Sequence, residues 1–202
     1  MGLRHSRAGP TIGSERPQMD LTGKLLIAMP GMGDPRFDQS VVFVCAHSDD
    51  GAMGLIVNKP ADSISFTDLL DQLDISKPHV GDPIHVYFGG PVEHARGFVL
   101  HSGDYDVPPA TLHVDETFGM TATLSVLEDL AHGQGPRKSL LALGYAGWGP
   151  GQLEDEIQSN GWLTCDAEPG LVFGDENEAK WAQALASMGV DARLLSGDAG
   201  HA

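Results

Sequence analysis

The sequence predicts an α+β domain built on a mixed, mostly antiparallel sheet. Three observations lead there. Short apolar, β-branched runs follow one another through brief turns, which is how antiparallel neighbours are joined. Helical segments fall between them singly, without the steady strand–helix alternation of a parallel sheet. The 202 residues also show no repeat, no linker and no shift of composition after residue 20, so one domain accounts for the chain.

The elements follow in order. Residues 1–19 are polar, hold no apolar signal core, and read as a disordered arm. The segment MGLRHS fits the loose N-myristoylation pattern, which is too short to carry an assignment. KLLIAMP (24–30) is a buried strand stopped by Pro30-Gly31, and the turn-rich 32–39 is a loop. VVFVCAH (41–47) and AMGLIVN (52–58) flank SDDG and read as a hairpin. In FTDLLDQL (66–73), Phe66, Leu69, Leu70 and Leu73 stand at i, i+3, i+4 and i+7, a helix with Ser65 as N-cap. HVGDP (79–83) is a turn, and IHVYFGG (84–90) and ARGFVLHS (95–102) are strands. The paired prolines of DYDVPPA exclude regular structure. Residues 111–124 suggest a hairpin turning at Phe118-Gly119. SVLEDLAHG (125–133) reads as a helix capped by Ser125 with Glu128 as its capping-box partner. SLLALGYAG (139–147) is a buried strand, 151–160 a helix, WLTCDA (162–167) a strand, and 177–188 a helix closed by Gly189. The domain is thus expected over 20–190, with a flexible tail over 191–202.

Charge excludes some functions. The net charge is −16, and no window beyond the arm gathers three basic residues. Nucleic acids draw their non-specific affinity from such residues, so they are poor partners here. Cationic or protein partners fit better. No apolar run reaches the length of a membrane span. Two distant cysteines, Cys45 and Cys165, suit a reduced, cytoplasmic compartment.

The stretch LGYAGWGPGQLEDEI (143–157) invites a phosphate or nucleophile reading, and each fails on residue identity. A P-loop needs a lysine, and none lies between 139 and 179. A dinucleotide fingerprint needs a third glycine where Gln152 stands, and a nucleophile elbow needs a serine. Pro150 suits a first helical position, and Glu154, Asp155 and Glu156 would repel an anion. A tight strand-to-helix corner, or a cleft wall built on Trp148, remains.

Nine histidines show no metal-ligand spacing, so no metal and no cofactor is expected. Ser40, His101 and Asp34 supply the residue types of a triad without its elbow or oxyanion motif. Lys59 closes a strand, and Arg96 follows the Gly89-Gly90 turn, where an arginine either clamps an anion or pairs with an acid.

Four segments, LTGKLLIAMPGMGDPRFDQSVVFVCAH, GAMGLIVNKP, YFGGPVEHARGFVLH and LGYAGWGPGQLEDEIQSNGWL, together resemble the AlgH/YqgE family of bacterial proteins over nearly all of 20–190. The resemblance implies a single compact α+β domain, its branched sheet partly curled into a small barrel and surrounded by helices. It implies a bacterial cytosolic protein of unassigned activity, in a family whose members often carry a transcriptional-regulator label. The family's recurrent positions fall here on Asp34, Phe37, Ser40, Asn58, Lys59, Gly89, Gly90, Pro91, Arg96, His101, Trp148, Gln152 and Glu154, which would define a surface cleft. The leading expectation is a binding or regulatory protein that recognises a protein partner or small ligand there. A hydrolase using Ser40 and His101 comes second. A direct DNA-binding regulator comes last, because no helix-turn-helix with a basic recognition helix is present. A monomer is compatible with all three.

Overall fold

Alternation along the strands explains the architecture. In β1 (Lys24–Ala28), Leu25 and Ile27 face one core while Leu26 and Ala28 face another. In β2 (Val41–Ser48), Val41, Phe43 and Cys45 face the first, and Val42 and Val44 the second. A strand covered on both faces reads as an unbroken apolar run, as these do. β3 (Gly51–Ile56) completes the expected hairpin with β2, with a bulge between Val44 and Ala46.

The computed structural model describes residues 19–76 and 83–195. The arm before Met19, the turn expected before Pro83 and the tail beyond residue 195 lie outside the described residues. The remaining strands are β4 (Val86–Phe88), β5 (Val92–Ser102), β6 (Thr111–His113), β7 (Phe118–Thr121), β8 (Ser139–Trp148) and β9 (Trp162–Asp166). Their order is β6-β7-β5-β8-β3-β2-β1-β9, every pair antiparallel, with β4 added parallel to β8 as a branch. The first half of β8 lies between β5 and β4, and its second half pairs with β3. Gly144 makes the change of partner possible: its φ is +72°, and a Cβ there would lie 2.5 Å from the Gly90 carbonyl oxygen.

The sheet curls into a half-barrel. Phe43 of β2 and Phe118 of β7 stand three intervening strands apart in the sheet, yet their rings lie 4.8 Å apart across the interior. α5 (Asn177–Ser187) fills this concavity with Trp181, Ala184 and Leu185, and the Trp181 indole donates to the Ala28 carbonyl. α4 (Pro169–Val172), absent from the sequence reading, adds Val172. α1 (Phe66–Gln72) and α2 (Leu124–Ala131) cover Val86, Val99 and Leu141, and α3 (Gln152–Gln158) covers the outer face of β1–β3. Beyond α5, a 3-10 turn over Ala192–Leu194 is capped by Asp191.

Three local expectations are corrected. The β6–β7 turn falls at 114–117, because Asp115 Oδ1 accepts the Thr117 and Phe118 amides and pulls Phe118-Gly119 into the strand. The N-cap of α2 (Leu124–Ala131) lies two residues earlier than expected, at Thr123; Ser125 is helical and bonded to the Thr123 hydroxyl, and the expected Ser125–Glu128 capping box does not form. α3 starts at Gln152 behind a left-handed Gly151, which leaves Pro150 in the turn.

Candidate functional site

A cleft of about 640 Å³ lies between the 30–37 loop and the corner where β8 enters α3. Its back wall is aromatic. Trp148 and Trp162 meet edge-to-face at 6.0 Å, and Phe37 meets Trp162 at 5.7 Å. One side chain orients the wall: Glu156 Oε2 accepts both indole N–H groups, at 2.9 Å from Trp148 and 2.8 Å from Trp162. Its Oε1 accepts Gln152 Nε2 at 3.0 Å, and Gln152 Oε1 in turn accepts the Gly149 amide. The i, i+4 spacing on α3 brings Gln152 and Glu156 together. The glycine corner therefore turns the chain and sets Trp148 and Gln152 on one wall.

The front wall is the 3-10 turn Pro35–Phe37, capped by Asp34, which accepts the Arg36 amide. The Arg36 guanidinium folds back onto the same carboxylate through Nε and Nη2, at 3.0 and 2.7 Å. That hydrogen-bonded guanidinium holds the Asp34 carboxyl below its ordinary range. Lys59 and Asn58 brace the loop. Lys59 Nζ donates to the Arg36 carbonyl, and Asn58 accepts the Val41 amide while donating to the Gln39 carbonyl. Burial lowers the Lys59 pKa, against the pull of Asp38 and Asp34. Pro91 and Val92 close the cleft.

A second groove of about 720 Å³ shares Val92, Gly147 and Trp148 with the first, and is lined by Met53, Phe98, Met120 and Tyr145. Arg96 lies on it, 5.0 Å above the Phe98 ring and 3.5 Å from Glu93. At its end, His47 is almost closed off. The Leu21 amide donates to Nδ1, so Nε2 carries the proton and donates to Glu154 at 2.7 Å. Glu154's own backbone N–H, helped by His47, holds its carboxyl below the ordinary range.

The other expected residues do not join this surface. Ser40 is fully buried, and its Oγ has no hydrogen-bond partner. His101 is fully buried among strands β5, β6 and β7. There Val107 N–H donates to Thr111 Oγ1, Thr111 to Thr121, Thr121 to His101 Nε2, and His101 Nδ1–H to the Ser102 carbonyl. With Nδ1 donating and Nε2 accepting, both ring nitrogens of His101 are committed within the fold, and burial lowers its pKa. Gly89 and Gly90 are packing glycines: a Cβ would fall 2.3 Å from the Gly144 oxygen and 2.1 Å from the Tyr145 carbonyl carbon. The structure thus brings Asp34, Phe37, Pro91, Trp148 and Gln152 to the cleft, Arg96 to the adjoining groove and Glu154 to its rim. It adds Met32, Arg36, Glu156 and Trp162, which the sequence reading missed. No cluster of metal-ligating side chains occurs among the described residues, and no helix among them is long and apolar enough to cross a membrane.

A curled, branched sheet with helices on its faces and an aromatic cleft at one strand-to-helix corner defines a small α+β half-barrel domain. An AlgH-like family model matches residues 25–193, and the chain belongs to that family. It is 60% identical over 185 residues to a UPF0301 protein of Ruegeria pomeroyi, covering 91% of this chain and all of the relative. The solution structure of the AlgH protein from Pseudomonas aeruginosa is 41% identical, with a TM-score of 0.72 over 98% of this chain and all of that one. A crystal structure from Corynebacterium diphtheriae shares the fold at 22% identity and a TM-score of 0.68, over 86% of this chain and 89% of that one.

Proposed function

We propose that the aromatic cleft and the adjoining groove form one recognition trough for an extended segment of a protein partner. The segment carries apolar side chains and a basic residue, and any effect on transcription is indirect. The observation that carries this reading is the shared wall. Trp148, itself nearly buried, lines both depressions, so they share a wall along which the part-exposed Met32, Phe37, Met53 and Tyr145 present apolar surface. Methionines adapt their shape to varied apolar side chains, and aromatic residues supply rigid contact area. Arg36 is spent on Asp34 and Arg96 on Glu93, while Glu156, hydrogen-bonded only to neutral donors, brings a carboxylate with no cation paired to it among the described residues, so the trough favours a cation. The working unit is residues 20–190, acting in the cytoplasm.

The hydrolase reading finds little support. Ser40 Oγ and both His101 ring nitrogens are withheld from any substrate, by burial and by hydrogen bonding. The test is an amide-shift titration of the labelled protein with a library of peptides, each with one basic residue among apolar ones. Saturable shifts over 147–152 and 160–162, weakened about tenfold by Phe37→Ala in the cleft and by Met53→Ala in the groove, support the trough. Binding that leaves those amides unmoved, or that both variants keep unchanged, removes it.

A further inference from the structure

A separate pocket of about 540 Å³ opens where the entry to β4, the α2–β8 loop and Phe173–Asp175 meet. It shares no lining residue with the trough. Its floor is apolar, built on Ile84, Leu130, Leu140 and Phe173. Its rim is cationic, in a chain of net charge −16. Arg137 and Lys138 stand side by side there, both exposed. Among the lysines and arginines of the described residues, Lys138 alone has neither a carboxylate nor a backbone carbonyl as partner. Arg137 reaches Asp104 only at 3.9 Å.

The loop that carries them is pinned. The Arg137 amide donates to Asp104 and the Lys138 amide to Ser102 Oγ, at 3.1 and 3.0 Å. Gly135 lies so close to Leu130 that a Cβ would come within 2.7 Å of it. Two cations on a fixed backbone, beside the half-buried Ser139, suit a dianion better than a single carboxylate. Across the pocket Asp175, 3.7 Å from His85, offers acceptor oxygens for hydroxyl or amino donors. The acidic body does not forbid an anion here, because charges beyond about 8 Å are screened at physiological salt.

We infer that this pocket binds a small organophosphate of the nucleoside-monophosphate class. The phosphate sits on Arg137 and Lys138, the flat body lies over the apolar floor, and a hydroxyl or amine faces Asp175. The volume falls within the range of about 300–1,000 Å³ typical of small-ligand sites.

The experiment titrates labelled protein separately with AMP, adenosine and inorganic phosphate, following amide shifts. We expect AMP to saturate shifts at 133, 135 and 137–139, with adenosine and phosphate each at least about tenfold weaker. We expect the double variant Arg137→Gln, Lys138→Gln to keep a dispersed spectrum and lose AMP affinity by about tenfold or more. Phosphate binding as tightly as AMP overturns the inference, since the site is then a bare anion patch. Unchanged AMP affinity in the double variant, shifts centred on Trp148, or no saturable shift at millimolar AMP also overturns it. Apart from shifts centred on Trp148, which belong to the trough, these outcomes leave the peptide reading untouched, because its amides are different.

Discussion

Glu156 accepts three hydrogen bonds, two from indoles and one from Gln152, and so fixes the cleft wall with one carboxylate. An amide cannot replace it. Glutamine with its oxygen at the indoles turns an NH2 toward Gln152 Nε2, and Gln152 cannot flip without abandoning the Gly149 amide. The reverse rotamer faces two indole N–H donors with a third donor. Glu156→Gln should therefore cost about 1–3 kcal/mol, the range for leaving partly buried donors unpaired. For a domain of this size that is a fall in Tm of very roughly 2–10 °C, read by a thermal melt, with altered tryptophan emission. An unchanged Tm would show that the indoles do not depend on the carboxylate. Ser40 gives the opposite case. Its amide donates to Phe37 and its carbonyl accepts from Ala28, but its hydroxyl is buried without a partner. Ser40→Ala removes only that orphan, so stability should hold or rise by about 1 kcal/mol. A variant several degrees less stable would mean that the hydroxyl is bonded after all.

At the scale of elements, β8 is the strand on which site and fold depend together. Its first half is clasped by β4 and β5, Gly144 lets it change partners, and its last residue is Trp148. Gly144→Ala places a Cβ 2.5 Å from the Gly90 oxygen and 2.9 Å from the Val92 oxygen, at a φ of +72°. Both contacts are backbone, so neither can swing aside. Left-handed strain adds about 1–2 kcal/mol and overpacking about 1–3 kcal/mol. Chemical denaturation should show a loss of several kcal/mol, and amide shifts should change as far as 146–148; a variant within about 0.5 kcal/mol of wild type would contradict the clasp. The same strand marks what the sequence could tell. Its apolar run is legible because both faces are covered, as are β1, β2, β3 and the amphipathic α1. The β4–β8 parallel pairing is not legible, since it joins segments more than fifty residues apart and depends on Gly89, Gly90 and Gly144 fitting one another. The β6–β7 turn was misplaced because a glycine signal outweighed Asp115, whose side chain sets the turn. In the site, Trp148 and Gln152 are legible from the glycine corner. Glu156 looked like one more helix acid, because its role exists only once Trp148 and Trp162 have been brought together.

For the whole molecule, the concave core holds a buried cation that makes stability depend on pH. Lys180 sits under the half-barrel at 1% exposure, its ammonium donating to the Val57 carbonyl at 2.7 Å and the Val172 carbonyl at 3.0 Å. It lies 5.3 Å from the Tyr87 ring centre. It thereby ties α5 and α4 to the end of β3. Desolvation lowers its pKa to about 8 from 10.5, with Asp175 pulling the other way. Between these values the unfolded chain holds a proton that the folded protein has released. The unfolded state binds more protons, so stability rises with pH in that window, by at most about 1.4 kcal/mol per pH unit. Above pH 9 the buried Cys45 thiol, pushed up to about 12 from 9.0, acts in the opposite sense, because the unfolded chain loses that proton first. Burial raises the Cys165 thiol as well, so it acts with Cys45; pH 8 to 9, where the free thiols have only begun to ionise, is the interval in which Lys180 dominates. There the wild-type Tm should climb by about 2–4 °C. The Lys180→Met variant, which has no amine to discharge, should stay flat across the same interval even if its two carbonyls leave it less stable throughout. Parallel curves for the two proteins would mean that the rise belongs to another group. A flat wild-type curve would mean that the ammonium keeps its ordinary proton affinity inside the core.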